Sequence, residues 1–356
     1  MSEKVLMKGN EAICEAAIKA GCRHYFGYPI TPQTEIPEYM AREMPKIGGV
    51  FVQAESEVAA INMLYGAAAA GARAMTSSSS PGISLKQEGL SFIAACQLPC
   101  VIVNIVRGGP GLGGIQPAQS DYFQATKGGG HGDYRNIVLA PNSVQEMLDL
   151  TLLAFDLADM YRNPVMVLGD GALGQMMEPV EIKAGSVKQV EKPWAVTGLR
   201  ERSTPNVINS LFLKPEQLEE LNIRLQAKYA VIQQNEMRWE ETNTEDAELV
   251  LVAYGITARI AHSAMEEARE KGMKVGLVRP ISLWPFPEPP FARLADTAQA
   301  FLTLELSAGQ MIEDVKLATK CRKPVYFYGR TGGMIATPAE VFAEIVNVMN
   351  GNKEAR

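Results

Sequence analysis

Val101-Ile-Val-Asn-Ile-Val106 and Pro164-Val-Met-Val-Leu-Gly169 are the two apolar runs that decide the fold class. Each is short and bounded by glycine or proline, as expected for a strand that is buried on both faces. The runs alternate with helical patterns, among them Asn10 to Ala20 and Ser143 to Met160. This alternation predicts an α/β domain, with a parallel sheet covered by helices on both faces, that ends near residue 180.

A second set of runs predicts a further, smaller α/β domain. Glu248-Leu-Val-Leu-Val-Ala-Tyr-Gly255 precedes a helical pattern from Thr257 to Gly272, and Lys274-Val-Gly-Leu-Val278 follows it. The charged helical pattern from Lys214 to Glu241 has no neighbouring strand signal and is typical of a connection between domains. The predicted division is a first domain at 1–180, an interdomain connection at 181–246 and a second domain at 247–350.

The composition argues against several classes of protein. The 356 residues carry 34 Lys plus Arg and 40 Asp plus Glu, so there is no basic surplus to neutralise a nucleic-acid backbone. The apolar runs fall short of the ~20 residues that span a bilayer, and the N-terminal segment lacks the pattern of an export signal. We therefore expect a soluble cytoplasmic protein without nucleic-acid or membrane partners.

The use of cysteine and histidine argues against a metal centre in this chain. The five cysteines contain no C-x-x-C pair, whereas an iron–sulfur cluster or a structural zinc needs about four soft ligands at close spacing. There are three histidines and no H-E-x-x-H motif, so His-based metal chemistry is set aside as well. No residue is assigned as a metal ligand.

Two glycine-rich segments match cofactor-binding signatures by letter. Gly109 to Gly114 matches G-x-G-x-x-G, but Pro117 follows too closely for a helix to open there, which favours a loop that a ligand can approach. Gly169-Asp-Gly171 matches the start of the motif that holds Mg²⁺ and diphosphate in thiamine diphosphate enzymes, but the paired asparagine that completes it is missing. The triplet is expected to form a turn at the end of a strand.

Glu57 is the first candidate for acid–base chemistry. It follows Glu55-Ser56 and begins an alanine-rich helical pattern from Val58 to Ala72. An acid in this position either caps the helix in contact with solvent or lies among the alanines, where burial lets a carboxyl hold a proton near neutral pH. Acid–base catalysis requires the second arrangement. The residues alone leave both interpretations open.

Further candidates follow the predicted strands. Arg107 ends an apolar strand and opens the glycine loop, which favours a planar fork for a carboxylate or phosphate over a surface residue. Thr31 lies in a proline-flanked loop that holds its hydroxyl in place, although many such threonines only complete a turn. The run from Ser77 to Ser80, followed by Pro81-Gly82, forms either a flexible loop or a set of donors at a strand end, and the second is favoured.

Five segments together resemble the α subunit of 2-oxoacid:ferredoxin oxidoreductases, and the resemblance covers nearly the whole chain. They are Tyr28-Pro-Ile-Thr-Pro32, Glu55-Ser-Glu57 with the helix to Gly66, Ser79 to Leu85, Asn104 to Pro110 and Leu283-Trp-Pro-Phe-Pro287. The 2-oxoisovalerate (3-methyl-2-oxobutanoate) type is the most similar. The resemblance implies a thiamine diphosphate-enzyme pyrimidine-binding domain followed by a transketolase C-terminal-like domain. It also implies oxidative decarboxylation of a 2-oxoacid to acyl-CoA and CO₂ with reduction of ferredoxin.

The resemblance further implies roles for single residues. The family glutamate that contacts N1′ of the aminopyrimidine falls on Glu57, with Glu55 as the nearby competitor. The family threonine beside the reacting carbon falls on Thr31, and the arginine that grips the substrate carboxylate falls on Arg107. The remaining implied contacts are substrate binding by Tyr28 and cofactor binding by Ser80, Pro81 and Gly82.

The resemblance implies that the chain is active only with partner subunits. A β subunit would share the thiamine diphosphate and hold Mg²⁺, [4Fe-4S] clusters would lie in partner chains, and γ and ferredoxin-like δ subunits would complete a complex that uses coenzyme A and ferredoxin. Two alternatives stay open at this point. One is the β component of a lipoamide-linked 2-oxoacid dehydrogenase, and the other is a non-catalytic scaffold subunit of the same fold.

Overall fold

The fold is built on two main sheets, seen in a computed structural model that describes residues 4–182, 190–199 and 202–356. The strands are β1 (Lys4–Lys8), β2 (His24–Gly27), β3 (Val50–Gln53), β4 (Ala74–Ser78), β5 (Cys100–Val106), β6 (Ile137–Leu139), β7 (Pro164–Asp170), β8 (Met177–Glu181), β9 (Trp239–Thr242), β10 (Leu249–Val252), β11 (Val275–Pro280), β12 (Ser282–Trp284), β13 (Ala300–Glu305) and β14 (Val325–Gly329). The α-helices are α1 (Gly9–Lys19), α2 (Glu35–Glu43), α3 (Glu57–Ala69), α4 (Ser80–Ala95), α5 (Val144–Tyr161), α6 (Gly171–Gln175), α7 (Pro215–Asn235), α8 (Gly255–Glu270), α9 (Glu288–Thr297), α10 (Met311–Ala318) and α11 (Pro338–Met349).

The first sheet has seven strands in the order β12-β6-β7-β5-β4-β2-β3. Its neighbours are parallel except β12, which runs antiparallel to β6. Every residue of β4, β5 and β7 is buried, so both faces of the central strands are covered. Helices α1 and α5 pack together, as do α3 and α4. The predicted parallel α/β architecture is confirmed.

The second sheet has five strands in the order β14-β13-β10-β11-β9, and only β9 is antiparallel to its neighbour. Successive side chains of β10 point to opposite faces and so divide the core. Val250 and Val252 belong to an apolar cluster that also contains the core of the first sheet. Leu249 and Leu251 belong to a second cluster with residues of α8 and α11. The first cluster therefore joins the two sheets, and the second covers the other face of the second sheet.

Two strands do not follow the predicted division of the chain. β9 lies in the predicted connection at 181–246 but pairs with β11 of the second sheet. β12 lies within the predicted domain at 247–350 but pairs with β6 of the first sheet. Both are antiparallel additions at a sheet edge, which a search for strands alternating with helices does not detect. We keep the three-part division as a proposal, with these two strands assigned to the sheets they extend.

The carboxyl ends of the parallel strands bring the candidate residues to one edge of the first sheet. The register pairs Ser78 with Asn104 and Val106 with Asp170, so β4, β5 and β7 end side by side. In open α/β sheets, ligands bind in the crevice outside these ends. The loops that carry Thr31 and Arg107 start from this edge.

Candidate active site

Glu57 is the first residue of α3 and is only 6% exposed. The helix is capped by Ser56, whose Oγ accepts a hydrogen bond from the Ala59 N–H at 3.1 Å. Glu55, the competitor for the same role, is exposed to solvent. Of the two open interpretations of Glu57, the structure shows the buried carboxyl and not the solvated cap.

The Glu57 carboxylate lies against the first turn of α4. A Cβ atom on Gly82 would lie 2.0 Å from Ser78 Oγ and 2.5 Å from Glu57 Oε1, so only glycine leaves both groups in place. Pro81 precedes it in the same turn, where proline is tolerated because the first N–H groups of a helix have no partner within the helix. The first turn of α4, which contains the predicted Pro81-Gly82 segment, thus packs against the Glu57 carboxylate.

Arg107 follows β5 and is 7% exposed. Its Nη1 donates to the Thr31 carbonyl at 2.9 Å, and its Nη2 donates to the Leu112 carbonyl at 2.8 Å. The Arg107 N–H donates to Ser80 Oγ at 3.1 Å, which connects this loop to the start of α4. The side-chain Nε is buried with no hydrogen-bond partner in the described part of the chain. The guanidinium is therefore fixed in place with a donor still free.

Thr31 and Tyr28 lie in an exposed loop whose position is set by Gln33. The Gln33 side chain is fully buried; its Nε2 donates to the Tyr28 carbonyl at 3.4 Å, and its Oε1 accepts from Ser77 Oγ at 2.5 Å. The structure brings Thr31 to Arg107 through the Thr31 backbone carbonyl, whereas the sequence drew attention to its hydroxyl.

Two more polar groups at this edge have no partner. Ser78 Oγ and Ser79 Oγ are buried and form no hydrogen bond with the residues that the structure describes. Buried hydroxyls in folded proteins are nearly always hydrogen-bonded, so these two are candidates for hydrogen bonds to a ligand. Arg107 Nε and the Glu57 carboxylate belong to the same edge of the sheet, so these groups are candidates for contact with a bound molecule.

A cavity of about 700 Å³ lies between the loops of the two sheets and reaches the start of α4, but Glu57, Thr31 and Arg107 are not among the residues that line it. Ser80, Pro81 and Asp121 line it from the first sheet, and Ser307 and Gln310 line it from the second. Burial raises the pKa of Asp121, although Asn104 Nδ2 donates to its carboxylate at 2.9 Å. A cavity of this size with a few convergent polar groups suits a small-molecule ligand.

Of the two glycine-rich segments, one forms the predicted loop and the other begins a helix. The residues at Gly109 to Gly114 form the predicted loop, closed by the Gly114 N–H donating to the Gly108 carbonyl at 2.8 Å. The prediction of a simple turn at Gly169-Asp-Gly171 is wrong, because Asp170 Oδ1 caps α6 by accepting from the first N–H groups of that helix at 3.0 Å. Its Oδ2 accepts from the Ile256 N–H at 3.1 Å and so joins the start of α8 to the first sheet.

Sequence reasoning missed Lys86 and Asp121. Lys86 is fully buried in the second turn of α4, four residues after Gly82, and Asp121 faces the cavity. A lysine inside the otherwise apolar pattern around Ile83 and Leu90 was the available signal, since long charged side chains are almost never fully buried without a compensating group. Asp121 carried no comparable signal, because it lies in an irregular loop.

In the part of the chain that the structure describes, no three His, Cys, Asp or Glu side chains gather as they would around a metal ion. None of the helices within 4–182, 190–199 and 202–356 has both the length and the apolar character needed to cross a membrane.

Known proteins resemble this chain in sequence and in structure. Residues 15–244 match the family described as "Pyruvate flavodoxin/ferredoxin oxidoreductase, thiamine diP-bdg", and residues 247–341 match "Pyruvate:ferredoxin oxidoreductase core domain II". Ketoisovalerate oxidoreductase subunit VorB of Methanothermobacter marburgensis is 55% identical, over 96% of each chain. 2-Oxoglutarate synthase subunit KorA of Methanocaldococcus jannaschii is 38% identical, over 94% of this chain and 97% of that one.

A solved structure is similar over most of the fold. The 2-oxoglutarate:ferredoxin oxidoreductase from Magnetococcus marinus, with 2-oxoglutarate, coenzyme A and succinyl-CoA bound, superposes with a TM-score of 0.84 at 27% identity. The match covers 97% of this chain but 65% of that one, so the chain spans about two thirds of that relative's length. By sequence and by fold, this chain belongs to the family of 2-oxoacid:ferredoxin oxidoreductase subunits.

Proposed function

We propose that this chain is the α subunit of a complex that oxidatively decarboxylates 3-methyl-2-oxobutanoate to acyl-CoA and CO₂ and reduces ferredoxin. The relative named for ketoisovalerate is 55% identical, against 38% for the relative named for 2-oxoglutarate, which supports the branched-chain substrate. The ferredoxin-linked family supports this interpretation over a lipoamide-linked dehydrogenase.

The observation that carries the proposal is the buried Glu57 carboxylate at the same sheet edge as unpaired serine hydroxyls and an unpaired guanidinium N–H. These groups fit an aminopyrimidine ring, which presents both donors and acceptors at its edge. Thiamine diphosphate supplies the reactive carbon at which a 2-oxoacid can lose CO₂. We assign Glu57 to hold a proton at ring nitrogen N1′, in surroundings where burial strengthens that interaction.

The other residues at the strand ends would bind and orient the reactants. Arg107 is held by two backbone carbonyls with Nε unpaired, which supports its role as the fork for the substrate carboxylate. Thr31 and Tyr28 would orient the substrate from the loop above it. Ser80, Pro81 and Gly82 would contact the cofactor, because they form the first turn of α4 next to the cavity and Glu57.

Partner subunits complete the proposed site. A β subunit would hold the diphosphate with Mg²⁺, [4Fe-4S] clusters in partner chains would pass electrons to ferredoxin, and γ and δ subunits would complete the complex. The relatives' names describe subunits, and the Magnetococcus enzyme binds coenzyme A, which supports coenzyme A as the acyl acceptor. We place the complex in the cytoplasm, because all five cysteines are free thiols, as expected in a reducing compartment.

Reconstitution with the partner subunits tests the proposal. The isolated chain is expected to be colourless, to bind thiamine diphosphate weakly and to be inactive. The reconstituted complex should reduce a viologen dye with 3-methyl-2-oxobutanoate and coenzyme A, at a higher kcat/KM than with pyruvate or 2-oxoglutarate. Full activity of the isolated chain would contradict the shared site, and a preference for another oxoacid would contradict the substrate.

The scaffold alternative is tested by substitution in the same complex. Glu57→Gln and Arg107→Ala should each abolish most of the dye reduction while the complex still assembles. If both variants keep the wild-type rate, the chain is a scaffold and the catalytic groups lie elsewhere.

A further inference from the structure

Loop 28–32, which carries Tyr28 and Thr31, is held by side chains that lie outside it. Gln33 Nε2 donates to the Tyr28 carbonyl at 3.4 Å, and Arg107 Nη1 donates to the Thr31 carbonyl at 2.9 Å. Both donors reach backbone oxygens, so they fix the path of the chain rather than its side chains. The position of Thr31 therefore depends on donors from outside the loop.

The Pro32 carbonyl is held by two amide side chains. Asn10 Nδ2 donates to it at 3.0 Å, and Gln175 Nε2 donates to it at 2.9 Å. The same two nitrogens also donate to Glu35 Oε2, each at 2.8 Å. An NH₂ group carries two hydrogens, so each amide can serve both acceptors. Lys8 Nζ donates to Glu35 Oε1 at 2.9 Å and so completes a network around one loop carbonyl.

This network joins three separate helices at the end of the loop. Asn10 lies in the first turn of α1 and is fully buried, Glu35 is the first residue of α2, and Gln175 is the last residue of α6. The other end of α6 also touches Pro32, because a Cβ on Gly171 would lie 3.1 Å from Pro32 Cγ. Groups held by helices are placed more precisely than groups held by a loop alone. The helices therefore determine the position of Pro32.

The direction of the Thr31 carbonyl follows from the position of Pro32. This carbonyl belongs to the planar peptide group that ends at Pro32 N, and the proline ring fixes φ at that residue. Arg107 Nη2 donates to the Leu112 carbonyl at 2.8 Å, but Leu112 lies in the glycine-rich loop and is 83% exposed. Of the two oxygens that hold the guanidinium, the Thr31 carbonyl is therefore the one connected to packed helices.

We propose that Asn10 and Gln175 are positioning residues which hold the Thr31 carbonyl in place, through Pro32, and so orient the Arg107 guanidinium for the substrate carboxylate. Removal of either amide takes away one of the two donors to the Pro32 carbonyl, so the loop should shift or open more often. The assignment of Arg107 to the carboxylate rests on the proposed function, whereas the support of the loop belongs to the chain itself.

Asn163 provides a matched control for Asn10. Both side chains are fully buried, and the Oδ1 of each forms no hydrogen bond with the residues that the structure describes. Asn163 Nδ2 also donates to two acceptors, the Arg135 and Pro164 carbonyls, both at 3.0 Å. It precedes β7 and so lies at the opposite edge of the sheet from the candidate site. The general cost of removing a buried amide should appear at both positions, whereas effects on loop 28–32 should appear only at Asn10.

The support of the loop is measured on the full chain by hydrogen exchange and mass spectrometry. In Asn10→Ala, peptides that cover 28–36 should exchange their amide hydrogens about five- to tenfold faster than in the wild type, because the loop opens more often. In Asn163→Ala, the same peptides should stay within about twofold of the wild type, while exchange near Arg135 rises. Unchanged exchange over 28–36 in Asn10→Ala, or an equal rise in both variants, would overturn the proposal.

The orientation of Arg107 is measured on the reconstituted complex. Asn10→Ala should raise the KM for 3-methyl-2-oxobutanoate about tenfold and keep kcat within about threefold, because it weakens binding of the carboxylate before the reaction. The KM for coenzyme A should stay within about twofold, as should all three constants in Asn163→Ala. An unchanged KM for the oxoacid in Asn10→Ala, or a change of all three constants together, would overturn the positioning role.

Gln175→Met is used if Asn10→Ala does not assemble. Gln175 is exposed, so its substitution should leave the chain folded, and the KM for the oxoacid should rise about threefold because the Asn10 donor remains. Gln145→Met is the control, since Gln145 Nε2 donates to the Glu181 carbonyl at 3.3 Å and to the Asp149 carboxylate at 3.1 Å. The same KM in both methionine variants would overturn the proposal.

Arg107→Ala distinguishes failure of this proposal from failure of the proposed function. A wild-type rate and KM in Arg107→Ala would overturn the assignment of Arg107 and the positioning role with it, while the exchange result over 28–36 would be unaffected. A raised KM in Arg107→Ala together with an unchanged KM in Asn10→Ala would overturn the positioning role alone.

Discussion

Glu57 and Glu305 are both buried glutamates at a junction between a strand and a helix, with 6% and 2% exposure. The Glu305 carboxylate accepts from the Ser307 hydroxyl at 2.8 Å and from three N–H groups at the start of α10 at 2.9 to 3.1 Å. By contrast, none of the hydrogen bonds formed by the described residues reaches the Glu57 carboxylate. Burial alone therefore does not mark a functional acid, and the proposed role of Glu57 rests on burial without hydrogen-bond partners.

The largest expected effect is a loss of activity on substitution of Glu57, which Glu305 should not show to the same extent. Glu57→Gln should lower kcat of the reconstituted complex by about 10²- to 10⁴-fold, because it removes an acid–base group. Its free energy of unfolding should change by no more than about 1 kcal/mol, because the carboxylate has no hydrogen bonds to lose. Viologen reduction and urea unfolding measure the two quantities. A large loss of stability with little loss of rate would show that Glu57 is structural, like Glu305.

The second effect is a loss of stability on substitution of Glu305, which should exceed the loss at Glu57. Glu305→Gln should lower the free energy of unfolding by about 2–4 kcal/mol, because a neutral amide cannot accept all the hydrogen bonds that the carboxylate accepts and leaves buried N–H groups unpaired. Urea unfolding of the isolated chain measures this loss. Below the unfolding transition, the complex should keep its rate within about tenfold of the wild type. If Glu305→Gln unfolds with the same free energy as the wild type, Glu305 is not the structural acid that the comparison with Glu57 requires.

The sequence predicted the part of this comparison that depends on local pattern and parallel topology. Hydrophobic periodicity located the helix that Glu57 begins, and the alternation of strands and helices implied that Thr31 and Arg107 follow strands ending at one edge. The lysine at position 86 in an apolar pattern was a signal, but it did not decide between a buried ammonium and a long side chain that extends to the surface. The contact of Asp170 with Ile256 depends on how the two sheets pack, which no local pattern encodes.

A third effect tests the close contact between Gly82 and the Glu57 carboxylate. The methyl group in Gly82→Ala would lie 2.0 Å from Ser78 Oγ and 2.5 Å from Glu57 Oε1, so both groups must move. We expect about a tenfold loss of kcat/KM, since a displacement of this kind impairs orientation. Gly66→Ala is the control for helix propensity, because a Cβ at Gly66 meets nothing within 4 Å. The free energy of unfolding of the isolated chain should rise by up to about 1 kcal/mol in this variant. Unchanged kcat/KM in Gly82→Ala would mean that the position of the carboxylate is not critical.

The smallest effect concerns two lysines whose pKa is lowered chiefly by burial, the fully buried Lys86 on α4 and the half-buried Lys228 on α7. For both, the folded pKa lies below the usual 10.5, near 8 for Lys86 and near 7 for Lys228. Above its folded pKa and below 10.5, the unfolded chain binds the extra proton, so stability rises with pH by at most about 1.4 kcal/mol per unit for each lysine. In Lys228→Met the rise should begin near pH 8 instead of pH 7, because only Lys86 is left to release its proton. Urea unfolding between these two pH values measures the difference, and an equal slope in wild type and Lys228→Met would show that Lys228 is not held as an uncompensated cation.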